Sequence, residues 1–161
     1  MNTPIIRPIE KKDNPHIASV IRSVLIDFDV PKVGTAYADT SLDAMFKNYQ
    51  KEGSAYFVIE ENGKIIGGSG VAKLDNYDGN VCELQKMYYL PEARGRGIGA
   101  TMIKLCLTKA RELGFEQCYL ETMPQMTTAQ ELYKKSGFKY IGEPLGDTGH
   151  YSCPVHMLLT L

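Results

Sequence analysis

The segment from Arg94 to Ala100, R-G-R-G-I-G-A, constrains the fold of this chain more than any other feature. It lies between a strand-like run at 81–90 and a helix-like run at 97–113, whose apolar residues recur at helical spacing. Its three glycines let the backbone turn tightly and approach a ligand without interference from Cβ atoms. The N–H groups that open the helix would point at one spot, where the helix dipole favours an anion. Because Arg94 and Arg96 also flank the turn, the segment predicts a phosphate site, most simply for a pyrophosphate.

The alternatives for this segment are a glycine-rich connector that happens to hold arginines, and other classes of phosphate site. The chain has no Gly-Lys-Ser or Gly-Lys-Thr, which excludes a P-loop. Gly95, Gly97 and Ala100 do match G-x-G-x-x-A, and Glu116 and Glu121 lie near the offset of a ribose-binding acid. That fingerprint should leave the first strand of a βαβ repeat, whereas here it follows a β-meander and too little chain remains. A dinucleotide site is therefore the weaker alternative.

The apolar pattern predicts an α+β fold in a single domain spanning residues 1–161, with a mixed, mostly antiparallel sheet. Asn62-Gly63 between two β-rich runs is a strong hairpin signal. The predicted strands are 4–9, 55–61, a run that begins at 64, 81–90, 116–121, 138–141 and 155–161. The predicted helices are 14–25, 40–51, 97–113 and 127–136, with a loop over 27–41.

Composition excludes several broad classes of protein. Lys plus Arg is 18 and Asp plus Glu is 19, for a net charge of −1, which argues against a basic nucleic-acid binder. No apolar run approaches the length of a membrane helix, and the beginning of the chain does not resemble a signal peptide. The four cysteines form no C-x-x-C pair, so a zinc knuckle is not indicated and no metal site is expected. We expect a soluble protein of the reducing cytoplasm, a monomer or homodimer.

Two segments resemble the GNAT N-acetyltransferases. L-Q-K-M-Y-Y-L-P-E-A-R-G-R over 84–96, continuing through Gly97 and Gly99, is similar to the fourth strand and the Q/R-x-x-G-x-G/A loop of that family. A-Q-E-L-Y-K-K-S-G-F over 129–138 is similar to its A-x-x-L-Y-x-x-x-G-F segment. One departure is Met126, where many members have Asn. The resemblance implies a sheet of about seven strands, splayed at the cofactor cleft and flanked by about four helices.

The resemblance also implies acetyl-CoA as the cofactor and a primary amine, of a small molecule or a protein, as the acceptor. Backbone N–H groups over 95–100 would hold the pyrophosphate, and the backbone of Met87 and Tyr89 would hold the pantetheine arm. The full set of implied cofactor-binding residues is Met87, Tyr88, Tyr89, Arg94, Gly95, Arg96, Gly97, Ile98, Gly99, Ala100, Thr128 and Lys135.

Three residues are candidates for general acid–base catalysis of acetyl transfer. Tyr133 would be the general acid, because a phenol can donate a proton to the leaving thiolate; the alternative is a tyrosine packed in the core. Glu83 is the first candidate for the base and Glu121 the second, since they lie on the strands expected to line the cleft. Solvated strand-end carboxylates are the alternative for both.

The acceptor site is expected in two variable segments. The acidic stretch 27–43 contributes Asp29, Tyr37 and Asp39, which would suit a cationic amine, although acidic runs are often only solvated surface. The loop at 142–154 contributes His150, which would bind substrate or shuttle a proton, unless it only makes a local hydrogen bond.

Two other functions are compatible with parts of this pattern. A GNAT-like module could bind acyl-CoA as a sensor without turnover. A thiol hydrolase could use Cys153 with His150 or His156, but Pro154 follows the cysteine and has no N–H for an oxyanion hole. The identity of the acceptor amine stays open.

Overall fold

The structure is a computed structural model that describes residues 3–161. Its strands are β1 (Ile5–Pro8), β2 (Ala55–Glu61), β3 (Lys64–Lys73), β4 (Val81–Tyr89), β5 (Gln117–Thr122), β6 (Lys139–Ile141) and β7 (Val155–Thr160). Its α-helices are α1 (Asn14–Asp27), α2 (Met45–Asn48), α3 (Ile98–Glu112) and α4 (Thr127–Lys135). The predicted element order and the α+β class are confirmed.

All seven strands join in one sheet, in the order β1-β2-β3-β4-β5-β7-β6. Neighbours pair antiparallel except β4 and β5, which are parallel. The β2–β3 hairpin turns at Asn62 and Gly63, with φ of 53° and 77°, as a two-residue turn of this sequence requires. The sheet is therefore mixed and mostly antiparallel, as predicted.

The helices cover both faces of the sheet because each presents one apolar stripe. On one face, α1 buries Ile17, Ile21 and Val24 against the inward side chains of β2 and β3. On the other, α3 buries Ile103 and Cys106 in a cluster that also includes residues of β4, β5 and α4. Cys82 and Cys118 are fully buried there too, so these cysteines serve as small core residues.

The helix predicted over 40–51 is only partly present. A 3₁₀ turn spans Thr40–Ala44, and the single α-helical turn of α2 follows it. Ala44, with φ −135° and ψ 41°, lies outside the helical region and separates the two. Leu42 and Met45, three residues apart, are both fully buried, and three residues per turn is the period of a 3₁₀ helix. The segment therefore breaks into two short turns instead of one amphipathic helix.

Strands β4 and β5 diverge after a short region of pairing. Their register joins Val81 to Gln117, Cys82 to Cys118 and Glu83 to Tyr119, and no pairs follow within the described chain. Strand β4 continues to Tyr89 along β3, so its β5-facing edge is open beyond Glu83. The sheet is therefore splayed at the predicted place.

A bulge bends β4 at this opening. Gly70 of β3 is paired with Gln85, but Gly68 is paired with Tyr88, so β4 carries an extra residue between them. Lys86, inside the bulge, has φ of 51°, a left-handed conformation that is uncommon for a residue with a Cβ. The bulge changes the direction of the β4 side chains beside the gap.

Candidate active site

The N-terminus of α3 is open toward the gap between β4 and β5. Gly95 and Gly97 have φ of 71° and 77°, and a Cβ at either position would meet no atom within 4 Å. No side chain caps the helix, and its first backbone bond runs from the Thr101 N–H to the Gly97 carbonyl over 3.2 Å. The N–H groups of residues 98–100 are thus available to an external acceptor.

A cavity of about 500 Å³, here called the glycine-loop cavity, lies between β4, this helix terminus and α4. Eleven of the twelve predicted cofactor-binding residues line it: Met87, Tyr88, Tyr89, Arg94, Gly95, Gly97, Ile98, Gly99, Ala100, Thr128 and Lys135. Gly99 is needed for close packing, because a Cβ there would lie 2.8 Å from Leu132 Cδ2.

The backbone groups of β4 alternate between β3 and the gap. The Leu90 N–H donates to the Ile66 carbonyl of β3, so Leu90 directs its backbone toward β3. By alternation, Met87 and Tyr89 direct their backbone groups toward the gap.

Of the two loop arginines, only Arg94 lines this cavity. Its Nε and Nη2 donate to the Tyr89 carbonyl at 3.1 and 2.8 Å, and its guanidinium lies 5.1 Å from the centre of the Phe28 ring. Arg96 instead forms a two-pronged ion pair with Glu61, with Nη2 at 2.5 Å from Oε2. The Arg96 side chain therefore lies outside the predicted phosphate site.

A second, narrow cavity of about 50 Å³ adjoins the first and is called the tyrosine cavity, because Tyr133 lines it. The two cavities share Met87, Tyr88, Met126 and Ala129. Tyr133 is buried and its hydroxyl makes no hydrogen bond with any of residues 3–161. Burial raises its pKa, so the phenol keeps its proton.

A third cavity of about 280 Å³, the polar cavity, shares Lys86 of the bulge with the tyrosine cavity. Glu83 lines it and is 6% exposed. Burial raises the pKa of Glu83 to about 7; a hydrogen bond from Gln85 Nε2 to Oε1, at 2.8 Å, opposes the shift, and the charge of Glu121 adds to it. The carboxyl is therefore poised near neutrality, as a general base requires.

Asp39 and His150 meet at the rim of the polar cavity although they are 111 residues apart. His150 Nε2 lies 2.8 Å from Asp39 Oδ2. Burial alone would lower the pKa of His150, but the hydrogen bond and charge of Asp39, with help from Glu83, raise it overall. The predicted acidic stretch and the predicted histidine loop thus close over one site.

The chain matches a known protein family over most of its length. Residues 21–138 match the model of the acetyltransferase (GNAT) family. The chain belongs to the GNAT acetyltransferase family. It is 41% identical over 160 residues to the uncharacterized N-acetyltransferase YjgM of Escherichia coli (strain K12), covering 99% of this chain and 96% of that one. The protein is thus a GNAT N-acetyltransferase, as its sequence motifs indicated.

Solved GNAT structures share its fold at low sequence identity. A GNAT acetyltransferase from Staphylococcus aureus Mu50 superposes with a TM-score of 0.85 at 21% identity, covering 99% of both chains. A phosphinothricin acetyltransferase from Sinorhizobium meliloti, solved in complex with acetyl-CoA, superposes with a TM-score of 0.76 at 20% identity. The superposition covers 99% of the present chain and 89% of the phosphinothricin acetyltransferase.

The GNAT family uses acetyl-CoA as its cofactor, and the residues of this acetyltransferase fit that group. The uncapped start of α3 offers N–H donors to a pyrophosphate, and Arg94 and Lys135 add positive charge to the same cavity. The open edge of β4 offers backbone partners to an extended arm. Met126, in place of the frequent Asn, contributes an apolar wall to both adjoining cavities, and its Sδ accepts from Thr122 Oγ1 over 3.6 Å.

Some predicted site residues of this acetyltransferase lie elsewhere or are already bonded. Glu121 lines the tyrosine cavity, but it accepts hydrogen bonds from Tyr119, at 2.7 Å, and from Thr148. Asp29 is exposed after α1 and lines none of the three cavities. Tyr37 packs on the α1 side of the core, with Lys32 Nζ 5.2 Å from its ring centre, and also lies outside them. Glu121 therefore anchors the 142–154 loop, and the structure does not bring Asp29 and Tyr37 to any of the three cavities.

The polar cavity also contains residues that sequence reasoning missed, above all Lys86, Gln85 and Tyr49. The Tyr49 hydroxyl donates to Gln85 Oε1 at 2.5 Å, and Gln85 in turn donates to Glu83. Gln85 could have been found from strand alternation, since it shares a face with Glu83. Lys86 could not have been predicted from alternation, because only the bulge brings its side chain to this side of the strand.

Proposed function

We propose that this enzyme transfers the acetyl group of acetyl-CoA to a primary amine by direct attack of the amine. The observation that supports this most is that three cavities adjoin along β4 through shared lining residues. The glycine-loop cavity has the donors for a coenzyme, the polar cavity has acid–base groups for an amine, and the tyrosine cavity joins them through shared residues. A donor and an acceptor entering from opposite sides would meet at Tyr133.

In this proposal the coenzyme lies along the open edge of β4. Bound acetyl-CoA supplies an activated thioester. The N–H groups at the start of α3 and the cations Arg94 and Lys135 hold its pyrophosphate. The backbone groups of Met87 and Tyr89 hold the pantetheine arm, and an N–H of this strand polarises the thioester carbonyl.

Glu83 is the group that would accept the proton of the incoming amine. An amine is protonated near neutral pH and must lose a proton before it attacks. A carboxyl with a pKa of about 7 is half ionised at that pH and binds a proton far more strongly than an ordinary glutamate. The Tyr49–Gln85–Glu83 chain of hydrogen bonds fixes its orientation.

Tyr133 would protonate or hydrogen-bond the departing thiolate. Its phenol has no partner among residues 3–161, so its donor is free to bond a group in the tyrosine cavity. Burial disfavours every anion in such a cavity, the thiolate included. Cys153 lines the same cavity, and burial raises the pKa of its thiol to about 12. A raised thiol pKa makes the thiolate a better proton acceptor.

Burial of the Cys153 thiol also argues against the thiol-hydrolase alternative. The Cys153 thiol is held protonated by burial. Of its two candidate bases, His150 is paired with Asp39 and His156 lies 3.0 Å from the Tyr119 hydroxyl. A direct transfer that needs no protein nucleophile fits these contacts better.

We further infer that residues 1–161 form one transferase domain that acts in the cytoplasm as a monomer or homodimer. All four cysteines lie in the described part of the chain and are free thiols, three of them buried, which suits a reducing compartment. Within residues 3–161, no helix is long and apolar enough to cross a membrane.

Release of the free coenzyme A thiol by purified protein tests this function. The protein is given acetyl-CoA and a panel of amines comprising amino acids, polyamines, aminoglycosides and lysine peptides, with acetyl-CoA binding followed by calorimetry. The proposal expects amine-dependent release that Tyr133→Phe slows strongly while it retains acetyl-CoA binding. Binding without release for every amine would favour the sensor alternative, and failure to bind any CoA species would overturn both.

A further inference from the structure

The polar cavity carries charges of both signs, which a purely cationic acceptor would not require. Its lining includes three carboxylates, three lysines and a histidine: Asp39, Asp75, Glu83, Lys51, Lys73, Lys86 and His150. A cavity of about 280 Å³ is small, so its ligand is a small molecule or the end of one. A small ligand that contacts both sets of charges would itself carry both signs.

The three lysines differ in what their ammonium groups already bind. Lys73 Nζ donates to the Tyr77 and Gly79 carbonyls, each at 2.7 Å, and so holds the turn after β3. Lys51 is exposed to solvent. Lys86 is the buried one, with a side chain that is only 10% exposed. Of the three lysines, Lys86 is therefore the one whose ammonium group would gain most from a bound anion.

Lys86 has unused hydrogen-bonding capacity. Its Nζ lies 3.9 Å from Asp39 Oδ2, which is too long for a hydrogen bond, and 5.8 Å from the centre of the Tyr49 ring. It makes no hydrogen bond with any of residues 3–161. Burial of an ammonium with three unpaired donors is unfavourable, and burial accordingly lowers the pKa of Lys86 while Asp39 and Glu83 oppose the shift. An anion from outside would satisfy these donors.

The backbone holds Lys86 in this position at a cost. The left-handed conformation at φ 51° is disfavoured for a lysine and is maintained by the β4 bulge. Tyr56 supports the bulge, since its hydroxyl donates to the Lys86 carbonyl at 2.8 Å. The result is a side chain that lines both the polar cavity and the tyrosine cavity, where the acceptor amine would have to be.

We propose that the acceptor is a small amphoteric amine with a carboxylate beside its amino group, of the α-amino-acid type, and that Lys86 binds this carboxylate. This inference rests on the proposed acetyl transfer. A carboxylate on Lys86 leaves the adjacent amine between Glu83, which takes its proton, and the tyrosine cavity. A carboxylate supplies the buried ammonium with charge-assisted hydrogen bonds, which a neutral or purely cationic amine cannot do.

Matched acceptors test the proposal directly. The probes are L-serine, L-lysine and L-glutamine, each compared with its α-carboxamide and with its decarboxylated amine in the acetyl-CoA thiol-release assay. The comparison protein variants are Lys86→Met, which keeps chain length and removes the charge, and Lys86→Arg, which keeps the charge. Lys109→Met, in the last turn of α3, is the control for loss of a lysine outside the cavities.

We expect at least one carboxylate member to exceed its carboxamide by about 10- to 100-fold in kcat/KM. Lys86→Met should bring this ratio close to one, chiefly through KM, while Lys86→Arg retains part of it and Lys109→Met all of it. In a second readout, the N-acetylated form of the preferred amino acid should raise the Tm of the wild type more than that of Lys86→Met. This readout applies to any variant that folds and does not depend on turnover.

The outcomes distinguish failure of the Lys86 role from failure of the proposed acetyl transfer. Turnover of carboxamides or decarboxylated amines as fast as the amino acids would overturn the role of Lys86 and leave acetyl transfer standing. A carboxylate preference that survives Lys86→Met unchanged would likewise overturn it. Release of no thiol with any amine would refute acetyl transfer and this inference together.

Discussion

Replacement of Glu83 by glutamine should reduce activity and at the same time remove a loss of stability that the wild type suffers as pH rises from 5 to 8. Glu83 is buried beside Gln85, and burial raises its pKa from the ordinary 4.5 to about 7. A carboxyl whose pKa is raised by folding stabilises the fold below its unfolded pKa, and this contribution is lost as pH rises through the folded value. The relevant window therefore runs from about pH 4.5 to about pH 7.

The size of the effect follows from these two pKa values. Linkage between pKa values of 4.5 and about 7 predicts that wild-type stability falls by about 2.5 kcal/mol between pH 5 and pH 8 through Glu83 alone. The Glu83→Gln variant lacks this titration. Its free energy of unfolding, relative to the wild type, should therefore rise by about 2.5 kcal/mol across the same interval.

Urea denaturation of both proteins at pH 5, 6, 7 and 8 measures this difference. Other titrating groups are common to both proteins and cancel, and so does the pH-independent effect of the substitution on Gln85. Alongside, kcat/KM at pH 7.5 should drop by about 10²-fold or more if Glu83 is the base. Parallel stability curves for the two proteins from pH 5 to pH 8 would refute the reasoning that burial holds the Glu83 pKa near 7.

Three further substitutions test individual parts of the site. Gly97→Ala places a Cβ at φ 77° in open space, so it should cost about 1 kcal/mol in urea denaturation and weaken acetyl-CoA binding by calorimetry; unchanged binding would contradict the loop's role. Tyr133→Phe should lower kcat by about 10²-fold and leave Tm and the acetyl-CoA Kd nearly unchanged, because the hydroxyl has no partner among residues 3–161 to lose; full kcat across pH would exclude it as the acid. Arg96→Ala should keep acetyl-CoA affinity within about twofold, since the exposed Arg96 side chain is paired with Glu61 and does not line the glycine-loop cavity; a large loss of affinity would show that Arg96 reaches the ligand.

Local chemistry made much of this fold predictable. The turn at Asn62-Gly63 and the glycine loop at 95–99 depend on backbone conformations that few other residues adopt, so their sequences are informative by themselves. The helices α3 and α4 follow from apolar spacing because each packs on the sheet through a single stripe. The residues that the family resemblance implies for the cofactor lie on or beside these elements and β4, and eleven of them line one cavity.

The acceptor side was less predictable because its contacts join distant parts of the chain. The Asp39–His150 bond spans 111 residues, and nothing local at either position specifies it. The pairing of Arg96 with Glu61 depends on how the glycine loop packs beside the β2–β3 hairpin. The exposure of Lys86 to two cavities depends on the register of β3 against β4. Burial, register and pairing of this kind are properties of the assembled sheet.

Hydrogen exchange of backbone amides, with and without acetyl-CoA, tests the central claim most directly. The claim is that the coenzyme binds along the open edge of β4 and at the uncapped start of α3. Acetyl-CoA should slow exchange over residues 87–89 and 95–100, with little change in the β1–β2 part of the sheet. Exchange that stays unchanged at both segments under saturating acetyl-CoA, or protection confined to other strands, would contradict the account.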